Sequence, residues 1–247
     1  MMMKFSEPLR EAIVVNRPNR FIMNVRVDDE IVMCHCPCTG RIARVIFDNI
    51  PCLLRSAEDG GKRKTRYTVE AISLNGVANS HKKWVGINQT RANSYIDYFL
   101  RTDQLSDILG PEGKIFSIKR EQRVGDSRLD FVINDDIYLE VKSPMVMLPL
   151  KSSYTTDSCA KFTEQEKLYS IDRFIKHMEE LSKHRKAIIL VFFMFEANKF
   201  IPKQNEGGNA VSQAVLKTRR SGVEFWQVNA KFTEKGVCLS DHYKMPL

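Results

Sequence analysis

"SRLDFVINDDIYLEVKS", Ser127–Ser143, decides the reading of this chain. Asn134-Asp135-Asp136 is a natural turn, because short polar side chains tolerate left-handed backbone and bond to their own main chain. A hairpin closed there pairs Ile133 with Ile137, Phe131 with Leu139 and Leu129 with Val141. All six apolar residues then share one face, as the two-residue period of a strand requires, and burial of that face fixes the register. The opposite face carries Arg128, Asp130 and Val132 against Lys142, Glu140 and Tyr138.

Asp130 thereby stands across from Glu140. Cross-strand Cβ atoms lie about 4.5–5.5 Å apart, and like charges at that distance destabilise a sheet. A divalent cation gives two carboxylates a reason to be there, since hard cations such as magnesium prefer carboxylate oxygens. Lys142 projects from the same face and is suited to hold a phosphate oxygen or an attacking water. Two carboxylates and a lysine are the equipment of metal-assisted phosphodiester hydrolysis. The plain alternative is an exposed hairpin face of mixed charge, with Asp130 paired to Arg128 or Lys142. Glu121, in "KREQRV", adds a third acid if a preceding helix ends beside the hairpin. Arg173, Lys176 and His177 share one helix face by their spacing of three and four. A solvated basic face is the competing reading.

Before the hairpin, the first 90 or so residues read as short strands: "AIVVN", "FIMNVRV", "EIVMCH", "RVIF", "CLLR", "RYTVEAISL" and "KWVGIN". Turn-formers separate them, which predicts a small antiparallel barrel or sandwich. "RANSYIDYFLRTDQLSDIL" predicts a helix stopped by Gly110-Pro111. After the hairpin, residues 162–182 carry an amphipathic helical stripe. "KAIILVFFMF" is a continuous apolar strand of the kind covered on both faces. "NAVSQAVLKTRRSG" reads as a helix ending at Gly222, and "VEFWQVNAKF" as a strand. Alternation of strand and helix implies a right-handed crossover and a central sheet flanked by helices.

The 247 residues suffice for one large domain or two small ones. No apolar run is long enough to span a bilayer. The N-terminal stretch lacks the pattern of a signal peptide, so we expect a cytoplasmic protein with reduced cysteines and no membrane partner. A net charge of +8 permits a polyanionic partner. "NRPNR" sets Arg17 and Arg20 around a proline, and "KRKTR" concentrates Lys62, Arg63, Lys64 and Arg66. Solvated loops are the bland reading of both.

"CHCPCTG", residues 34–40, looks like a zinc cluster. Zinc, however, needs about four converging ligands, usually two separated pairs, and no second pair follows. Cys34, Cys36 and Cys38 alternate, so an extended chain turns them to one face. We expect no zinc there, but a strand entering a turn that presents His35, Thr39 and Arg41 to a phosphate or to the second domain.

These blocks resemble the sugar fermentation stimulation protein A family nearly from end to end. "HCPCTGR" is similar to its HxPNTGR signature, "SRLDFVI" and "IYLEVKS" to its SRxDF and EVKS blocks, and "DRFIKHMEEL" to its RGxKHLxEL helix. "FSEPLREAIVVNRPNRF", "KRKTRYTVEA" and "GINQTRAN" are also similar to family blocks. The resemblance implies an α/β chain (α+β overall): an N-terminal OB-like β-barrel, residues 1–88, then a restriction-endonuclease-like domain with a central mixed sheet, residues 89–247. Asp130, Glu140 and Lys142 would be its PD-(D/E)xK residues, Glu121 the upstream helical acid, and Arg173 and Lys176 basic residues of the following helix. The family is described as DNA-binding and linked to the regulation of sugar (maltose) metabolism. Cys38 stands where the family has Asn, Phe174 where it has Gly, and the segment between Lys142 and Arg173 is longer than the family pattern.

Two functions follow as expectations. The first is a nuclease that uses Mg2+ or Mn2+, bound by Asp130, Glu140 and the Val141 carbonyl, with Lys142 orienting water. Arg17, Arg20, His35, Thr39, Arg41, Lys62, Arg63, Lys64 and Arg66 would hold nucleic acid through its phosphates. An OB-like barrel favours single strands, with Tyr67 and Trp84 as candidate stacking residues unless they belong to the core; RNA is not distinguished from DNA. The second is a nucleic-acid-binding regulator that keeps a nuclease fold and cuts nothing.

Overall fold

A computed structural model gives the fold. It describes residues 1–38, 42, 45–57, 64–73, 75, 81–110, 113–145, 148, 164–200 and 210–246, with the backbone alone at 164–172, 211 and 212. The strands are β1 (Met2–Lys4), β2 (Arg10–Asn19), β3 (Ile22–Val27), β4 (Glu30–His35), β5 (Ile50–Ser56), β6 (Tyr67–Ser73), β7 (Trp84–Gly86), β8 (Ile118–Val124), β9 (Ser127–Ile133), β10 (Ile137–Lys142), β11 (Lys186–Phe193), β12 (Glu224–Phe232) and β13 (Gly236–Lys244). The α-helices are α1 (Ala92–Arg101), α2 (Glu164–Leu181) and α3 (Ala210–Arg220).

The first half is a barrel in the order β4-β3-β2-β5-β6, closed by a parallel contact of His35 with Thr68 between β4 and β6. Inward residues alternate along each strand, as in Val14, Met23, Val25, Cys34, Cys52, Leu54 and Val69, all buried. "RVIF" forms no strand among its described residues; Val45 makes an isolated bridge. Cys34, Cys36 and Cys38 are all buried, and burial pushes the Cys34 thiol up to about 11. They fill space as small apolar residues.

β7 joins the barrel to the second half, pairing with β6 on one side and β12 on the other. The two halves therefore share one hydrogen-bonded sheet. Gly86 sits at this seam with its N–H on the Met194 carbonyl at 2.9 Å. A Cβ there would lie 2.8 Å from Met194 Cβ and 2.9 Å from the Phe232 ring. Gly86→Val is thus expected to destabilise the protein by about 2–3 kcal/mol through overpacking, read as a lower urea midpoint with unchanged slope.

In the second half β11 runs parallel to both β10 and β12, while β9, β8 and β13 are antiparallel additions. Every β11 residue after Lys186 is buried. Ile188, Leu190 and Phe192 pack in the cluster that contains α1 residues Tyr95, Ile96 and Phe99. Ile189, Val191 and Phe193 pack in the other cluster, with Met178 and Leu181 of α2. The continuous apolar run thus reflects a strand covered on both faces.

The structure departs from the sequence reading in three further places. The expected helix to Gly110 stops at Arg101, where the Thr102 hydroxyl bonds the Tyr98 carbonyl and Asp103 turns to a φ of 56°; a short 3-10 turn, Ser106–Leu109, follows. "KREQRV" is not the end of a helix but most of β8, an edge strand. Its charges blunt the sheet edge, and they also remove the apolar alternation that marks a strand. Leu129 leaves the other five hairpin residues and packs with the Met178–Leu181 cluster.

Candidate active site

The β9–β10 hairpin closes at the expected turn. Asn134 and Asp135 adopt φ of 52° and 64°, which their short polar side chains tolerate. Ile133 pairs with Ile137, Val132 with Tyr138 and Phe131 with Leu139. The ladder ends there, one pair before Asp130 and Glu140. Beyond it the Asp130 side chain takes over, with Oδ2 accepting the Val141 N–H at 2.8 Å. Its other oxygen, Oδ1, accepts from the Asn93 amide at 2.7 Å.

Glu140 is only 3% exposed, which excludes the plain surface network. One of its oxygens, Oε1, is held by Lys142 Nζ at 2.7 Å and by His177 Nδ1 at 2.5 Å. The other, Oε2, is buried without a hydrogen-bond partner. Desolvation opposes the charge on Glu140, but the hydrogen bonds and charges of His177 and Lys142 outweigh it and bring its pKa below the usual value. Asp130 goes the other way. Desolvation first, then the neighbouring Glu140 charge, raise its pKa despite the Val141, Asn93 and Lys142 interactions. Opposed shifts of two neighbouring carboxylates make this hairpin face a candidate functional site.

Asp130, Glu140, Val141, Lys142 and Arg173 line one pocket of about 290 Å³, together with Gln89, Thr90, Asn93 and Ser143. Lys142 also lies 5.8 Å from the centre of the Phe174 ring. Two expected members are not among the described lining residues. Glu121 sits on β8 with a φ of 52° and pairs with Arg128, so it is not a helical acid. Lys176 is exposed, because α2 turns His177 inward instead. Asn93, Gln89 and Thr90 escaped the sequence reading. Their one signal was their place in "GINQTRAN", a block similar to the family pattern that opens an amphipathic helix.

The described candidate nucleic-acid residues lie on the barrel. Arg17 donates to the Cys38 carbonyl at 2.6 Å and to the Arg20 carbonyl at 3.1 Å. Arg20 lies over the Phe21 ring, with its guanidinium carbon 4.8 Å from the ring centre. His35 ends β4 half-buried, and Lys64 and Arg66 are exposed. Thr39, Arg41, Lys62 and Arg63 lie outside the described residues. Tyr67 is half-buried beside Arg66, whereas Trp84 is buried and bonds Glu234. Trp84 is therefore a core residue, not a stacking platform.

Comparison with known proteins agrees with this architecture. The SfsA N-terminal OB domain model matches residues 15–87, and the sugar fermentation stimulation protein RE domain model matches residues 90–236. The chain belongs to the sugar fermentation stimulation protein family. A family homolog from Clostridium perfringens (strain 13 / Type A) is 28% identical over 254 residues, covering 99% of this chain and 100% of the relative. The Saccharophagus degradans homolog is 35% identical over 148 residues, covering 57% of this chain and 59% of the relative. Among solved structures, family member SfsA of Pyrococcus furiosus in complex with Ca2+ superposes with a TM-score of 0.71 at 22% identity, covering 100% of both chains. That likeness establishes the shared fold. No helix among the described residues is long and apolar enough to cross a membrane.

Proposed function

We propose that this protein binds nucleic acid and hydrolyses its phosphodiester bonds with a divalent cation, Mg2+ or Mn2+, held by Asp130 and Glu140. The observation that carries the proposal is the buried, unpartnered Glu140 Oε2 in a pocket shared with Asp130. A buried acceptor without a partner is costly, and a cation would satisfy it. Among the described residues no group of three or more Asp, Glu, His or Cys side chains converges to hold a metal. That fits magnesium, which binds through one or two carboxylates and keeps several waters. The Val141 carbonyl is the further ligand we assign. The Pyrococcus furiosus SfsA structure is a complex with Ca2+, a cation that takes oxygen ligands.

When bound, the cation supplies Lewis acidity towards a phosphoryl oxygen. The remaining work falls to the chain. His177 holds Glu140 with Oε2 left over. The Lys142 ammonium adds positive charge beside both carboxylates and is suited to orient a water. Arg173, at the pocket, is suited to a phosphate oxygen. Barrel arginines would hold the strand by its phosphates, without reading sequence. The sugar-metabolism role in the family's name would then act through DNA.

The test incubates the protein with labelled single-stranded DNA, duplex DNA and RNA, with and without Mg2+ or Mn2+, beside Asp130→Ala. Metal-dependent products from the wild type only support the enzyme. Retarded but intact strands support the alternative, a regulator that binds and does not cut.

A pH dependence follows as well. Folded Asp130 keeps its proton to higher pH than the unfolded chain does, so its contribution to stability is full at low pH and is lost as pH rises through the folded pKa. A cation on the ionised carboxylate offsets that loss. Added Ca2+ is expected to raise Tm most at neutral pH, with the gain vanishing as acid protonates Asp130. A gain that ignores pH in scanning fluorimetry would contradict the site.

A further inference from the structure

The segment Asn88–Asn93 ties the barrel to the carboxylate pocket at both ends. At its start the Asn88 amide donates to both Glu70 oxygens at 3.1 Å. Glu70 is 1% exposed in β6 and is held from the other side by Arg55 at 2.8 Å. The next residue, Gln89, accepts the Cys38 thiol at 3.3 Å and donates to the Ser143 carbonyl at 2.5 Å, one residue past Lys142. The Thr90 hydroxyl returns to Asn88 Oδ1 at 2.6 Å. At the end of the segment, Asn93 reaches Asp130.

Asp130 accepts one donor on each oxygen, Asn93 on Oδ1 and the Val141 N–H on Oδ2. Two donors on opposite oxygens fix the plane of a carboxylate, whereas one leaves it free to rotate. Asn93 reaches this point because Ala92, one residue earlier, is buried in the core and Asn88 is bolted to Glu70. We propose that Asn93 is a positioning residue that fixes the Asp130 carboxylate for cation binding, and that the barrel holds Asn93 in register through Glu70 and Asn88. The functional half of this inference rests on the reading of Asp130 as a metal ligand. The geometric half does not.

The test uses the full chain with Asn93→Ala and, as a second variant that keeps a small polar group too short to reach, Asn93→Ser. Without metal, amide exchange is followed by NMR at Val141, with Leu139 in the paired part of the ladder as internal reference. Losing the anchor is expected to speed exchange at Val141 about tenfold, with Leu139 unchanged. With Mn2+, affinity is expected to fall about tenfold, as is usual when a partner of a metal ligand is removed. Arg101→Ala, exposed at the far end of α1, should change neither. Unchanged exchange at Val141 overturns the proposal whether or not metal binds. Faster exchange with wild-type Mn2+ affinity overturns the functional half. A wild type that binds no Mn2+ overturns the metal reading instead, and the exchange result still decides the role of Asn93.

Discussion

Glu140→Ala is expected to abolish metal-dependent cleavage while leaving nucleic-acid binding in place. The expected drop is about 10³-fold in kcat, because Lewis-acid stabilisation of a phosphoryl transition state is worth several kcal/mol and about 1.4 kcal/mol is tenfold. Glu140 is the residue on which the other groups converge. It organises Lys142 and His177 through Oε1 and offers Oε2 to the pocket. Its removal takes away the proposed cation ligand and the partner of the pocket lysine together. Single-turnover cleavage with saturating Mn2+ measures the effect, and circular dichroism checks the fold. Cleavage by the variant within tenfold of wild type would refute the assignment. Salt-sensitive binding should persist, since the proposed phosphate contacts belong to the barrel and not to Glu140.

Glu70→Ala is expected to give the largest loss of stability, about 3–4 kcal/mol. Removing one partner of a buried ion pair strands the other, and typical costs are about 3–5 kcal/mol. Arg55 is 23% exposed in its side chain, which moves the expectation to the lower end of that range. The Asn88 amide would also lose both of its acceptors. For a chain of this size the loss corresponds to a fall in Tm of about 6–16 °C. Glu70→Gln, which keeps an acceptor for Asn88, should lose roughly half as much. Equal Tm values for Glu70→Ala and wild type would remove Glu70 from its role as the anchor between barrel and pocket.

The hairpin shows how far a local pattern reaches. Its turn and the register next to it were legible because Phe131 and Ile133 alternate against Ile137 and Leu139 around a short polar turn. The point at which the ladder stops was not legible. Asp130 leaves the ladder because its carboxylate competes for the Val141 N–H, and that competition depends on Asn93 arriving from α1. Glu121 failed for a related reason. A charged edge strand carries no apolar period, so β8 was invisible, and with it the pairing of Glu121 to Arg128. His177 was assigned to the correct helix, but its burial against Glu140 depends on how α2 packs over the sheet.

The sequence by itself therefore determined a strand-rich first part followed by alternating strands and helices, the buried run of β11 and the closeness of Asp130 to Glu140. These are properties of periodicity and turn chemistry within a dozen residues. Only the tertiary structure decided which polar groups meet: Asn93 with Asp130, His177 with Glu140, and Glu70 with Asn88 across the seam. Such contacts join distant segments and leave no periodic trace, because a polar side chain that will be satisfied inside the fold is locally indistinguishable from one that will face water.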